Sequence, residues 1–440
     1  MKTNVKPVTR PPWPRLPARL VADLLAGHSA IGLAFGALIY LVCLTGTIAV
    51  FVDEMKLVEA PSPTVTAVAP GALNRALDSA IQLSGGSAKT PYLFITAPTT
   101  SRQRWAVLAA GKTWRMDARG GLTPVRTPFT DFVTDLHMTL LLPAPWGAAL
   151  VGVIGAALLS LILSGVLAHP RILRDAFMLR LGGARRLQEA DLHNRLSVWG
   201  LPFHLAVTLS GAFFGLSYTM LSLVAALGFH GDISRAGQVL QGAPIASDTR
   251  PADLAPLDGL IAQTRGLQSR STLSYIEVER PDTRGARISI EVTAPGRLPR
   301  GEQAVFDNAG ALVGRGRFAS GPLGLQAYSG AAQLHFGFFG GLPVRLAYGM
   351  LGAALTYISA SGVTIYLIRR RDRGRPAPRL ERAWLAWTWG APAALLLAAA
   401  LSHSVSPAAC FWATAVVVVA ASVCAPRTRR DQSLAQSKTS

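Results

Sequence analysis

Cysteine is almost missing from this chain of 440 residues. Its three copies, Cys43, Cys410 and Cys424, all lie inside apolar runs. The long polar segments between those runs hold none, which excludes a disulfide framework there. Charge is missing from whole stretches: residues 24–52, 138–168 and 196–231 carry no Asp, Glu, Lys or Arg. Each is longer than the roughly 20 apolar residues that a helix needs to cross a bilayer. No charged residue sits near the middle of any such run, which argues against the polar path that a solute transporter needs. A small-residue cleavage pattern is also absent from residues 47–54, so the basic N-terminus and first apolar run read as an uncleaved anchor.

What remains is hydrophobic and basic together. The chain is 50% hydrophobic with a net charge of +19 and a mean hydropathy of +0.33. A fourth apolar run covers 346–368. A fifth, 383–426, is divided by the polar turn 402–407 into a hairpin, making six spans. With the N-terminus cytoplasmic, the inside segments 1–27, 168–195, 369–383 and 425–440 hold 22 basic and 7 acidic residues. The outside segments 53–136 and 227–334 hold 20 basic and 17 acidic. By the positive-inside rule this asymmetry sets the topology. The basic excess therefore speaks for orientation and contact with anionic lipid, and against nucleic acid.

The chain divides accordingly into a cytoplasmic N-terminus and first span (1–52), an outer lobe (53–136) and two spans with their loop (137–226). A second outer lobe (227–334), a fourth span (335–372) and a two-span hairpin with its tail (373–440) follow. The two halves repeat one design. His28 precedes Gly46 by 18 residues in the first span, as His193 precedes Gly211 in the third. Leu136-His137 opens the second span, which continues through Gly155-Ala-Ala157 to Ser164-Gly165. Leu334-His335 opens the fourth, which continues through Gly352-Ala-Ala354 to Ser361-Gly362. In the lobes, the turn signal Asp117–Leu122 matches Asp307–Leu312. Helices over 72–83 and 254–264, with alternating stretches at 92–95, 105–108, 274–278 and 286–292, make each lobe a small α+β unit. The expected fold is an all-α membrane bundle of two span–lobe–span repeats plus a C-terminal helical hairpin, carrying two α+β lobes. Small residues such as Gly32, Gly36, Gly152, Gly155, Gly211 and Gly352 allow close helix approach about a pseudo-two-fold axis.

Of eight histidines, four obey the repeat. His28 and His193 fall at cytoplasmic span ends, His137 and His335 at outer ends. Two imidazoles facing across a bundle axis can supply both axial ligands of a b-type haem, so two pairs point to two haems near opposite faces of the membrane. The absence of a Cys-x-x-Cys-His run excludes covalent attachment, and no Cys or carboxylate cluster accompanies these histidines to favour another metal. The competing reading makes them interfacial side chains, with His193 solvated among Asp191, Asn194 and Arg195. His169 and His204 have no repeat partner: they back up or substitute for a ligand, or they pack the interior. His204 lies about 16 Å deeper than His193 if the helix is unbroken. Pro143, Pro145 and Pro343 follow the outer histidines and break the helices at the membrane surface. Phe336, Phe338, Phe339 and Trp146 form an interfacial aromatic belt or line the outer site. Arg345 either answers a haem propionate or snorkels outward.

At these residues the sequence resembles the PepSY-associated transmembrane family, also called iron-regulated membrane proteins. The marks are His28-x-x-x-Gly32 with Thr45-Gly46, Leu136-His137, Gly165-Val-Leu-Ala-His169-Pro-Arg-Ile172, Asp191-Leu-His193-Asn194, and Leu334-His335 with Gly362. They cover about residues 18–372. The resemblance implies PepSY-like lobes on the periplasmic side of a bacterial inner membrane, haem, and a place in iron acquisition. Some members reduce ferric siderophores there. The hairpin 383–426 is an addition to the pattern. No flavodoxin or ferredoxin-reductase domain is attached, so an electron donor, a quinol or a cytosolic reductase, is separate. The expectation is a di-haem b oxidoreductase that reduces ferric siderophore iron. The alternatives are a transporter of a siderophore-like solute and a PepSY interaction module without redox activity.

Overall fold

The computed structural model describes residues 16–98, 104–169, 185–233, 235–237, 248–268, 270–293, 298–299 and 301–425. The basic segments 1–15, 170–184 and 426–440, with Pro170, Arg171 and Ile172, lie outside the described residues. The helices are α1 (Ala18–Ala49), α2 (Val52–Glu59), α3 (Ala72–Leu83), α4 (Pro128–Thr139), α5 (Trp146–Ala168) and α6 (Arg185–Trp199). They continue as α7 (Leu201–Gly228), α8 (Leu257–Gly266), α9 (Leu323–Phe336), α10 (Gly341–Asp372), α11 (Pro378–Leu401) and α12 (Pro407–Cys424). Helices α1, α5, α7, α10, α11 and α12 are long and apolar enough to cross a membrane. At 1.5 Å per residue α1 is about 48 Å long, more than the roughly 30 Å hydrocarbon core requires.

Three expected spans are interrupted near their ends. The run from 138 gives way after α4, where Leu140 and Leu141 adopt φ of +53° and +62°, and α5 starts only at Trp146. His137 is therefore on a helix of its own, before the span. His335 is likewise on α9, which stops at Gly337 (φ +65°) before α10. The third run breaks at Gly200, between α6 and α7, so His193 and His204 do not share one continuous helix.

The described residues form two compact units. The first comprises those of Met1–Thr47, Val153–Ala212 and Met350–Ser440; the second comprises those of Ile48–Gly152 and Phe213–Gly349. In the first, helices meet where side chains are small. A Cβ on Gly155 would lie 3.1 Å from the Ala212 backbone, and one on Gly36 would lie 2.7 Å from Val363. Thr47 and Thr356 hydroxyls add a hydrogen bond of 3.2 Å between α1 and α10.

The second unit corrects the expectation of two separate lobes. Strands β1 (Tyr92–Thr96), β2 (Ala106–Ala109), β3 (Lys112–Met116) and β4 (Leu122–Val125) come from the first lobe. Strands β5 (Thr272–Glu279), β6 (Arg287–Thr293), β7 (Glu302–Asp307) and β8 (Leu312–Arg317) come from the second. All eight form one antiparallel sheet of order β4-β3-β2-β1-β5-β6-β7-β8. The seam is the β1–β5 pair, with Leu93 opposite Val278 and Ile95 opposite Ile276. Those four side chains join α3 and α8 residues, Leu73, Leu77, Leu257 and Ile261 among them, in one apolar core. Each fully buried leucine or isoleucine there stabilises by roughly 1.5–3 kcal/mol. The two helices also cap each other: Gly71 N–H donates to Asp258 Oδ2 (2.7 Å) and Leu257 N–H to Asn74 Oδ1 (3.0 Å).

The matched turns fold alike. Asp117 Oδ1 accepts from the N–H of Gly121 (2.8 Å), and Asp307 Oδ1 from that of Ala311 (2.8 Å). Gly120 and Gly310 take φ of +91° and +87°, a region that favours glycine. The N–H groups of Gly121 and Arg119 hold the Asp117 carboxyl below its ordinary value.

Candidate functional site

Helix α1 carries His28, and α6 carries His193, to the wall of one cavity of about 150 Å³. Both rings are gripped in the same way. His28 Nδ1 lies 3.0 Å from Ser164 Oγ, and His193 Nδ1 lies 2.9 Å from Ser361 Oγ. Each serine hydroxyl has one proton to give. That of Ser164 goes to the Ser160 carbonyl at 2.7 Å, and that of Ser361 to the Ile358 carbonyl at 3.1 Å. Each Oγ is then the acceptor and each Nδ1 the donor. A backbone carbonyl, which can only accept, is also within reach of each ring, Leu161 for His28 and Ile358 for His193. The network thus assigns both imidazoles the Nδ1–H tautomer and leaves the Nε2 lone pair as ligand or proton acceptor.

The residue after each serine completes the fit. A Cβ on Gly165 would stand 3.4 Å from His28 Cε1, and one on Gly362 would stand 3.5 Å from His193 Cε1. Ser-Gly recurs as a unit: the hydroxyl bonds the ring, and the glycine lies in van der Waals range of it. Otherwise the wall is mostly apolar, with Gly32, Leu158, Leu161, Leu355 and Val363.

His169 and His204 line the same cavity. His204 is only 2% exposed, and its Nε2 is 3.3 Å from the Leu351 carbonyl. That nitrogen must be the donor, so it is engaged in packing α7 against α10. A Cβ on Gly200 would fall 2.5 Å from it, which accounts for glycine at the α6–α7 break. His169 Nδ1 is buried with no hydrogen-bond partner among the described residues.

In the second unit, α4 and α9 bring His137 and His335 face to face. Their ring centroids are 6.4 Å apart and their planes 22° from parallel. Phe214 and Phe336 present their edges to His335 at 5.9 and 5.3 Å. Tyr328 packs on Phe214 at 5.9 Å, and Phe338 stacks on Phe336 at 5.2 Å. The expected aromatic group is split: Phe339 packs on Tyr348 instead, and Trp146 is 77% exposed.

A polar frame holds these two helices. The Glu59 carboxylate on α2 accepts from the N–H groups of Phe129 (2.8 Å) and Thr130 (2.9 Å), covering the open N-terminus of α4. Tyr348 on α10 donates to the Leu334 carbonyl at 2.7 Å, next to His335. Arg345 on α10 pairs with Glu54 on α2 and is 8% exposed. Its guanidinium is thus engaged by a carboxylate. Among the described residues, no group of three or more His, Cys, Asp or Glu side chains is arranged to hold a metal ion directly.

The four histidines expected from the repeat fall into the two expected pairs. Ser164 and Ser361 stood out as repeat positions, and their fixed place before a glycine was the signal for their role. Phe214, Tyr328, Glu54 and Glu59 carry no such mark.

The chain is similar to known proteins. An uncharacterized protein of Pseudomonas aeruginosa, PA4219, is 31% identical over 297 residues, 63% of this chain and 74% of the relative. The family described as the PepSY-associated TM region matches residues 25–369, which take in every histidine of both pairs. With six helices long enough to cross a bilayer, the chain is a multi-pass membrane protein and belongs to the family of the PepSY-associated TM region.

Proposed function

We propose that the chain is a di-haem b oxidoreductase of the bacterial inner membrane that delivers electrons to ferric iron, held as a siderophore-type chelate, at the periplasmic face. The observation that carries this is the matched serine grip. It holds two histidines of one cavity by Nδ1, which supports Nε2 as the nitrogen that each neutral ring would offer to iron. His28 and His193 hold one haem in this reading, and His137 and His335 the other. His137 and His335 are close enough to supply the second pair once their rings turn edge-on to a bound haem. Bound haem supplies one-electron transfer.

The remaining work falls to the protein. Ser164 and Ser361 hold each ring by Nδ1 and aim Nε2. Gly32, Gly165 and Gly362 line the cavity beside His28 and His193, and Phe214, Phe336 and Phe338 form an aromatic cluster at His335. The eight-stranded sheet, read as two joined PepSY-like lobes, docks the chelate. Ferric iron that gains one electron binds hard oxygen ligands more weakly and is released. The charge asymmetry supports cytoplasmic termini and a periplasmic sheet. Reporter fusions at Gly85 and Gly310 then read as periplasmic, and a fusion at Gly374 as cytoplasmic.

Stopped-flow mixing tests the function. The dithionite-reduced, desalted protein is mixed with a ferric hydroxamate and a ferrous trap. Haem oxidation within seconds, with stoichiometric trapped ferrous iron, is expected. Reduced protein that ignores ferric chelates but is oxidised at once by a small quinone contradicts the iron assignment.

A further inference from the structure

The matched family region ends at residue 369, and α11 and α12 lie beyond it. Their hydrogen bonds to α1 and α10 fall within the first unit. We infer that this hairpin is a brace that fixes α1 against α10 and thereby sets the geometry of the His28/His193 site. The inference rests on the haem reading for the site's ligand, but not for the brace itself.

Three aromatic groups make the connection, and each spends its polar atom on a neighbouring helix. Trp384 Nε1 on α11 donates to the Ala360 carbonyl (3.2 Å) and to Thr364 Oγ1 (3.1 Å) on α10. Trp387 Nε1 donates to the Ala37 carbonyl on α1 at 3.3 Å. Tyr40 on α1 donates to the Thr388 carbonyl at 2.6 Å. Tyr40 and Trp384 also meet edge to face at 6.3 Å. Membrane helices have no hydrophobic drive to associate, so contacts of this kind decide which helices stay together.

Their positions point at the site. Ala360, which receives the Trp384 indole, precedes Ser361, whose hydroxyl orients His193. The Trp384 ring edge reaches to 4.0 Å from where a Cβ on Gly36 would stand, and that Cβ would also strike Val363 at 2.7 Å. Gly36, Ile39 and Val363 all line the cavity. The brace therefore bears on the back of the cavity wall, between the helix that carries His28 and the helix that carries Ser361. Trp384 and Trp387 are positioning residues that act through α1 and α10. On the other side of the hairpin, Trp389 is 74% exposed and makes none of these contacts.

The test uses the full chain in detergent, with a Tyr40→Phe/Trp384→Phe/Trp387→Phe variant that removes the hydrogen bonds and keeps aromatic rings. Trp389→Phe is the control. Amide hydrogen exchange over 36–41 and 360–364 is read by mass spectrometry, and the midpoint potential of each haem by redox titration. Losing four modest hydrogen bonds predicts exchange faster by about tenfold or more in both segments. The potential of the His28/His193 centre moves, that of the His137/His335 centre does not, and Trp389→Phe changes neither. Unchanged exchange overturns the brace. Faster exchange with an unmoved potential overturns its influence on the site. A wild-type protein that purifies without haem overturns the proposed function instead, and the exchange result then decides the brace alone.

Discussion

The two histidine pairs are built from different materials. His28 and His193 are gripped by serines of apolar helices, each with a glycine beneath the ring, and the same device occurs twice. His137 and His335 stand on short helices outside the long spans. A carboxylate cap, a tyrosine–carbonyl bond and an arginine–glutamate pair hold those helices. In an apolar helix a hydroxyl is among the few ways to orient an imidazole without burying a charge, so local sequence must supply it. At the second pair the orienting groups come from elements distant in the chain, and no local pattern is needed.

That contrast can be sharpened by breaking each device separately. Ser164→Ala or Ser361→Ala removes the acceptor that fixes one ligand's tautomer. Outer partners of metal-bound histidines typically contribute 10–100-fold in affinity, so haem retention at the His28/His193 site falls by that order while the other site is spared. Pyridine haemochrome assay after dialysis against apomyoglobin reads the loss. Equal loss at both sites contradicts the independence of the pairs. Glu59→Gln acts on the opposite side. It weakens the cap on α4 by about 1–2 kcal/mol, which lowers retention at His137/His335 only, by roughly tenfold. Smallest is the acid response of the Asp117 turn. Its depressed carboxyl stabilises the fold above the ordinary value of 3.8, and the contribution fades as pH falls through the depressed value. Melting temperatures of the wild type and Asp117→Asn differ at neutral pH and converge at the acid end. A constant gap across that range contradicts the assigned role of the charge.

Much of this was legible in the sequence because the signals are local. Uncharged runs located the six long helices, and the Ala72–Leu83 helix has the expected bounds. The Asp117 and Asp307 turns lie where the repeat put them. What escaped is long-range. Strands β1 and β5 are separated by about 180 residues of sequence, and nothing in either announces the other, so the sequence pattern shows two lobes where the fold has one sheet. Leu136-His137 and Leu334-His335 are apolar enough to extend a span. Only the backbone at Leu140, Leu141 and Gly337 shows that each belongs to a separate helix. Arg345 could be named but not its partner Glu54, because the two are 291 positions apart in the chain.

The central claim is that four histidines in two pairs hold two haems independently. Haem stoichiometry and the reduced-minus-oxidised spectrum, measured on the purified wild type and on His28→Ala, His193→Ala, His137→Ala and His335→Ala, test it most directly. Two non-covalent low-spin b haems are expected in the wild type, and one in each variant. His28→Ala and His193→Ala should share one residual spectrum, and His137→Ala and His335→Ala another. Four variants that all keep two haems, or a wild type that binds none, would contradict the account.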